Sequence, residues 1–179
     1  MNKNKKLVPK KYSNYFQIIM QKDNQLIIYT DGAARGNPGR GGYGVILMYG
    51  DKRKEISAGY RLTTNNRMEL MAVIVAIESL KKKNIPVTIY TDSEYVLNSV
   101  EKKWLDNWIR TDFKGGKKNK DLWLRYYYLA QDFDIKFKWV RGHADNTFNN
   151  LCDKLATAAA DGNNLLIDEG YEKEVGKLL

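Results

Sequence analysis

The order of apolar and polar positions predicts strands and helices from about residue 25 onward. Leu26 to Thr30 is a β-branched and aromatic run that is typical of a strand, and Asp31-Gly32 ends it. Tyr43 to Tyr49 and Glu55 to Leu62 have the same character, whereas the glycine-rich stretch from Gly32 to Gly39 indicates a loop. The short connections favour an antiparallel meander of these three strands.

Helices separate the later strands. Arg67 to Lys82 contains no Gly or Pro and predicts a long helix. Further strands are expected at Pro86 to Thr91 and Ile135 to Val140, and further helices at Ser93 to Val100, Lys103 to Arg110, Asp121 to Asp132 and Asn149 to Ala160. Because strands joined through helices usually run parallel, we expect an α/β fold. Its sheet would be five-stranded and mixed, three antiparallel strands followed by parallel ones, with helices on both faces.

The chain of 179 residues is the size of one domain with short extensions. We expect the domain at 25–162, a basic extension at 1–24 and a tail at 163–179. Residues 1–22 hold six Lys and no acid, which suits either a solvated arm or an additional phosphate-binding arm. We find no apolar run of membrane-spanning length and no secretory signal, so we expect a soluble, cytoplasmic protein. Nothing in the sequence suggests more than a monomer.

The charged and sulfur-containing residues narrow the chemistry. The formal net charge of +9 favours a polyanionic partner such as nucleic acid. With one Cys, Cys152, and one His, the chain lacks the ligands for a zinc site and cannot form an internal disulfide. Any metal must therefore be held mainly by oxygen, which favours Mg²⁺, with Mn²⁺ as a substitute.

Four acids are candidates for such a site. Asp31 and Asp92 each follow a predicted strand within an Ile-Tyr-Thr-Asp string, and parallel strands would place both at one edge of the sheet. Glu69 lies on the helix face that carries apolar residues three, four and seven positions later. Asp153 is placed early in the last helix. Asp31, Asp92 or Asp153 alone is explained at least as well as a turn or helix-start residue. A helix-start role explains the position of Glu69 along the helix but not its inward face, so Glu69 favours a site.

Carboxylates without soft ligands, on a basic chain, indicate phosphoryl transfer assisted by hard cations. Other chemistries fit less well. We find no phosphate-binding Gly-rich loop ending in Gly-Lys-Ser/Thr, and the glycines from Gly36 to Gly44 lie between strands, where a dinucleotide site is not expected. We also find no serine elbow for a catalytic triad.

The motifs resemble the type 1 ribonuclease H family in its bacterial form. Tyr29-Thr30-Asp31-Gly32 and the Gly-rich segment that follows it resemble the opening of that family. Thr63 to Leu70 resembles its most diagnostic string, Thr-Thr-Asn-Asn-Arg-Met-Glu-Leu. Tyr90-Thr91-Asp92-Ser93, the string from Trp139 to Ala144, and Cys152-Asp153-Lys154-Leu155-Ala156 follow in the same order. The resemblance covers about residues 25–160.

The resemblance implies a fold and a function. The family cuts the RNA strand of RNA–DNA hybrids with two Mg²⁺ ions and little sequence specificity, leaving 3′-hydroxyl and 5′-phosphate ends. It implies that Asp31, Glu69, Asp92 and Asp153 bind the metals and that His143 assists proton transfer or product release. It also implies hybrid contacts by Gly32, Asn37, Thr64, Asn65, Asn66, Ser93, Glu94 and Asn149, and by a basic protrusion carrying Trp104, Trp108, Lys114, Lys117 and Lys118.

Three residues depart from the family pattern. Glu94 stands where many members have Gln, and either weakens RNA binding or acts as an additional outer acid. Asp145 replaces a common Gly after His143, and Asn150 replaces a common acid. A non-catalytic binding protein with this fold is the main rival, but it predicts loss of one of the four metal-binding acids, and all are retained. A resolvase or integrase would lack the Asn-Asn-Arg-Met-Glu string.

Overall fold

The computed structural model describes residues 25–83, 85–142 and 146–176. The strands of this part of the chain are β1 (Leu26–Gly36), β2 (Gly39–Tyr49), β3 (Lys52–Thr63), β4 (Val87–Thr91), β5 (Ile135–Trp139) and β6 (Leu165–Leu166). The helices are α1 (Asn65–Glu78), α2 (Glu94–Glu101), α3 (Trp104–Arg110), α4 (Lys120–Ala130), α5 (Thr147–Asp161) and α6 (Glu169–Glu174). No helix in these ranges is long and apolar enough to cross a membrane. The basic extension at 1–24 and His143 lie outside the described residues.

The strands form one mixed sheet in the order β5-β4-β1-β2-β3-β6. β1, β2 and β3 pair antiparallel, while β4 pairs parallel with both β1 and β5. This confirms the predicted α/β fold and its mixed sheet. The count of five strands was one too low, because the two-residue β6 pairs parallel with β3. A strand of two residues is too short to produce a recognisable alternation in the sequence.

The first hairpin is longer than its sequence indicates. The prediction of a loop from Gly32 to Gly39 is wrong. β1 continues to Gly36, which pairs with Gly39 of β2. Asp31 therefore lies inside a strand. Glycine weakens a strand and is therefore a loop signal in a sequence. In this hairpin, glycines instead allow helices to pack closely on both faces of the sheet.

Helices α1 and α5 pack on opposite faces of this hairpin and approach it through glycine. A Cβ placed on Gly32 would lie 2.2 Å from the backbone nitrogen of Glu69 in α1. A Cβ placed on Gly44 would lie 2.2 Å from the carbonyl oxygen of Cys152 in α5. Both distances are far inside van der Waals contact, so only glycine fits. These contacts bring the helices that carry Glu69 and Asp153 towards β1.

Helix α1 provides much of the core. Its side chains Met68, Leu70, Val73 and Ile74 are fully buried against the sheet and neighbouring helices. It begins two residues before the predicted start, because the Thr64 hydroxyl caps it by accepting a hydrogen bond from the backbone N–H of Arg67 at 3.4 Å. It ends at Glu78, four residues before the predicted Lys82.

The segment after α5 is tied to the rest of the fold by ion pairs. Asp168 caps α6 and is paired with the buried guanidinium of Arg67, at 2.7 Å. Arg67 also pairs with Asp121 in the first turn of α4, at 2.7 Å. We call Arg67, Asp121 and Asp168 the arginine cluster. It joins α1, α4 and the C-terminal segment at one point.

Candidate active site

One polar pocket contains all four acids singled out by the sequence. Asp31 comes from β1, Glu69 from α1, Asp92 from the residue after β4 and Asp153 from α5, and all line this pocket. β4 ends at Thr91, which pairs with Thr30 of β1, so Asp31 and Asp92 follow paired residues of parallel strands. We call this the carboxylate pocket. Its remaining lining residues are Gly32, Ala33, Ala34 and Asn65.

Asp31 is the most deeply placed of these acids, with 8% of its surface exposed. Its carboxylate accepts a hydrogen bond from the backbone N–H of Gly32, at 2.7 Å. Burial, and after it the negative charge of Asp92, raise the pKa of Asp31 to about 8, although the hydrogen bond from Gly32 lowers it. The pocket therefore disfavours its own negative charge unless a cation compensates it.

Glu69 is held by two hydrogen-bond donors. The Asn65 side-chain amide donates to one carboxylate oxygen at 2.8 Å, and the Ser93 hydroxyl donates to the other. Burial raises the pKa of Glu69 to about 7 despite these hydrogen bonds. Ser93 is itself buried and caps α2, accepting from the Val96 backbone N–H at 3.2 Å. The structure thus places Asn65 and Ser93, both expected to contact substrate, beside the carboxylate of Glu69.

Asp92 has a hydrogen-bond donor from the opposite side of the sheet. The Asn149 side-chain amide of α5 donates to a carboxylate oxygen of Asp92 at 3.1 Å. Asn149 is only 1% exposed, and its amide oxygen has no hydrogen-bond partner among the described residues. Because only the amide nitrogen can donate to a carboxylate, this orientation of Asn149 is fixed. Asn149 therefore orients Asp92 and leaves one buried acceptor.

The donor set of the carboxylate pocket suits a hard divalent cation. Within the described ranges, no Lys or Arg forms an ion pair with any of the four acids. Nor is any group of three or more His, Cys, Asp or Glu side chains in these ranges already arranged to hold a metal ion. Mg²⁺ typically keeps several waters and is bound by one or two carboxylates together with substrate phosphate. A site in which carboxylates supply only some of the ligands, and water and substrate supply the rest, suits that ion.

A second pocket lies between the first hairpin, the start of α1 and the C-terminal helix. Asn37, Thr64 and Asn66 form one side, and Asn37 accepts a hydrogen bond from the Asn65 backbone N–H at 3.2 Å. We call it the Thr64 pocket. The other residues that line it are Lys118, Asn119, Tyr171, Glu174 and Val175. Three of the expected hybrid-binding residues thus share one pocket with Lys118 of the basic loop.

The segment expected to be a basic protrusion is built on aromatic rings. Trp108 is buried and packs against Phe113 and Trp123, while Trp104 is exposed. The Lys117 ammonium lies 5.8 Å from the Trp108 ring centroid, within cation–π range. Lys114, Lys117 and Lys118 are all exposed. The aromatic base fixes the loop while the ammonium groups stay at the surface.

Glu94, one of the three departures from the family pattern, is exposed at the first position of α2, directly after Ser93.

Asn119 and the arginine cluster were not among the residues predicted from the sequence. Asn119 precedes α4 with a left-handed φ of 62° and donates to the Tyr95 hydroxyl at 2.9 Å. An Asn just before a predicted helix was the available signal.

Comparisons with known proteins identify a family. The model of a family described as RNase H matches residues 23–161. A protein named Ribonuclease H from Syntrophus aciditrophicus is 51% identical over 151 residues, covering 82% of this chain and 87% of that protein.

Two solved structures are similar to the fold. LC9-RNase H1, described as a type 1 RNase H with the type 2 active-site motif, is 29% identical with a TM-score of 0.71. The match covers 87% of this chain and 82% of that one. LC11-RNase H1, whose crystal structure is a complex with RNA/DNA hybrid, is 26% identical with a TM-score of 0.58, covering 76% and 96% of the two chains.

Proposed function

Because the chain belongs to the ribonuclease H family, we propose that it cuts the RNA strand of RNA–DNA hybrids with two divalent cations at the carboxylate pocket. The ions would be held by Asp31, Glu69, Asp92 and Asp153, with Mg²⁺ favoured by the all-oxygen donor set. The observation that carries this proposal is the convergence of four acids from separate elements on one pocket.

The electrostatics of the pocket support a cationic cofactor. Burial is the main cause of the raised pKa values of Asp31 and Glu69, and the negative charge of Asp92 raises both further. When bound, divalent cations supply activation of a water and stabilisation of the leaving oxygen. A bound cation would offset the cost of burial and the mutual repulsion, and would therefore favour the ionised carboxylates.

The chain's own groups orient these acids. Asn65 and Ser93 hold Glu69, and Asn149 holds Asp92. Such partners fix a ligand's rotamer before a metal or substrate arrives. His143 is proposed as the group that moves a proton or helps release product, on the basis of the family resemblance and its place in the sequence.

The two pockets support a duplex substrate. The RNA strand would cross the carboxylate pocket, and the DNA strand would reach the Thr64 pocket and the Lys114–Lys118 loop. Short polar side chains suit the 2′-hydroxyls of a wide minor groove, whereas ammonium groups bind phosphates without reading sequence. LC11-RNase H1, which shares this fold, has been solved with an RNA/DNA hybrid. We therefore propose endonucleolytic cleavage with little base specificity.

Mapping of cleavage on labelled duplexes tests this function. RNA–DNA hybrid, double-stranded RNA and double-stranded DNA of one sequence are incubated with the protein and Mg²⁺, with each strand labelled in turn. We expect cleavage of the hybrid RNA strand at many internal positions, giving 3′-hydroxyl and 5′-phosphate ends. Binding of the hybrid without cleavage in Mg²⁺ or Mn²⁺ would instead identify a non-catalytic binding protein.

A further inference from the structure

The C-terminal helix α6 forms one side of the Thr64 pocket. Tyr171, Glu174 and Val175 lie across it from Asn37, Thr64 and Asn66. Hydroxyl and amide groups such as those of Thr64 and Asn66 are suitable donors to a phosphate oxygen. Among the described residues that line this pocket, Lys118 is the only cation and Glu174 the only anion, so their two charges offset each other.

The position of α6 is fixed by the fold. Asp168, at its N-terminal cap, is bonded twice to the buried Arg67 guanidinium at 2.7 Å and accepts from the Thr63 hydroxyl at 2.6 Å. Glu172 is buried and accepts hydrogen bonds from Arg61 at distances down to 2.7 Å. These bonds anchor α6 to β3 and to the start of α1. Because α6 is anchored in this way, Glu174 has a fixed position at the Thr64 pocket.

Lys118 and Glu174 form an ion pair across the edge of this pocket. The Lys118 ammonium lies 3.2 Å from a Glu174 carboxylate oxygen. The side chains are 75% and 46% exposed, so water and salt screen the pair and its contribution to stability is small. A pair of this kind exchanges partners readily when a phosphate offers Lys118 a second anion.

We propose that Glu174 competes with a backbone phosphate of the nucleic-acid substrate for Lys118, and so sets how tightly the hybrid is held at the Thr64 pocket. In the free protein Lys118 pairs with Glu174, and in the complex it pairs with the phosphate. The proposal rests on the proposed function, since it assumes that a hybrid occupies this surface. It gives the C-terminal helix a role in substrate affinity that the carboxylate pocket does not involve.

The exchange has a consequence for salt dependence. A free Lys that neutralises one phosphate adds about 0.9 to the magnitude of the slope of log affinity against log salt. In the wild type, Lys118 gives up one carboxylate to gain one phosphate, so its net contribution to the slope is reduced. Removing the charge of Glu174 restores the full contribution of Lys118.

Equilibrium binding of a fluorescent RNA–DNA hybrid, measured in EDTA to prevent cleavage, tests the proposal. The variants are Glu174→Gln, Lys118→Gln, their combination, and Glu169→Gln as the matched control. Glu169 is the first residue of α6 and is exposed, so its substitution changes the net charge equally at the other end of the helix. Thermal unfolding of each variant verifies that α6 remains docked.

We expect Glu174→Gln to bind the hybrid roughly two- to five-fold more tightly at about 50 mM salt, with a steeper slope by up to about one. The gain should vanish when Lys118 is also replaced, and Glu169→Gln should show little of it. Equal effects of the two Glu substitutions, or a gain in affinity that persists without Lys118, would overturn this role of Glu174. Neither result would contradict the proposed ribonuclease function. A wild type that neither binds nor cuts the hybrid would refute the proposed function itself.

Discussion

Replacing Asp31 with Asn should stabilise the metal-free protein while abolishing its activity. An Asp ionises near pH 3.9 in an unfolded chain, but in the fold the pKa of Asp31 is about 8 because of burial and the charge of Asp92. The folded state thus keeps a proton that the unfolded state has lost, so stability is present at low pH and is lost as pH rises towards 8. Asn carries no titrating charge and still accepts from the Gly32 N–H.

The size of the effect follows from the pKa difference. Each pH unit between the two pKa values costs about 1.4 kcal/mol, which amounts to about 4 kcal/mol at pH 7. Because water entry and relaxation reduce this value, we expect Asp31→Asn to gain about 2–4 kcal/mol at pH 7, or on the order of 5–10 °C in melting temperature. Near pH 4 the variant and the wild type should unfold at similar temperatures.

Thermal unfolding from pH 4 to pH 8 in EDTA measures this difference, with Asp51→Asn as the control. Asp51 is exposed at the turn between β2 and β3, so its substitution should leave the pH dependence unchanged. Added Mg²⁺ should raise the melting temperature of the wild type more than that of Asp31→Asn, because a ligand stabilises the state that binds it. Parallel curves for Asp31→Asn and wild type at every pH would refute the raised pKa of Asp31.

Two further substitutions test the contacts that hold the site. Asp168→Asn should lower the free energy of unfolding in urea by about 2–4 kcal/mol, because it removes a charged partner from the buried guanidinium of Arg67. Asp121→Asn should lower it by about 1 kcal/mol or less, since Asp121 is 44% exposed. Equal losses would contradict these roles in the arginine cluster. Asn149→Ala should lower kcat for hybrid cleavage by about ten-fold or more with little change in KM, because Asp92 loses the donor that orients it. A rise in KM at unchanged kcat would show that Asn149 acts in substrate binding instead.

The elements with a clear apolar period were predictable from the sequence. β4, β5 and α3 begin and end within one residue of their predicted bounds, because β-branched or aromatic runs and flanking acids mark their ends. The parallel pairing of β1 with β4 also followed from the intervening helix. The same reasoning placed Asp31 and Asp92 at adjacent positions on the sheet, and the inward face of α1 placed Glu69 beside them.

The remaining features depend on contacts between distant parts of the chain. The extension of β1 beyond Asp31 could not be predicted, because Gly32 is required by the approach of α1, which local sequence does not reveal. Asp168 lies 101 residues from Arg67, and no spacing rule connects the two. The pairing of Lys118 with Glu174 likewise exists only because α6 docks beside the basic loop.

The proposed cleavage of the hybrid RNA strand at the carboxylate pocket, with the help of divalent cations, can be tested directly. The measurement is the initial rate of cleavage of a labelled RNA–DNA hybrid in Mg²⁺ by wild type, Asp92→Asn and the control Asp51→Asn, with hybrid binding measured in parallel. We predict that Asp92→Asn lowers the rate by at least about 100-fold while still binding the hybrid, and that Asp51→Asn cleaves like the wild type. Cleavage by Asp92→Asn at the wild-type rate would contradict the assignment of this pocket as the active site.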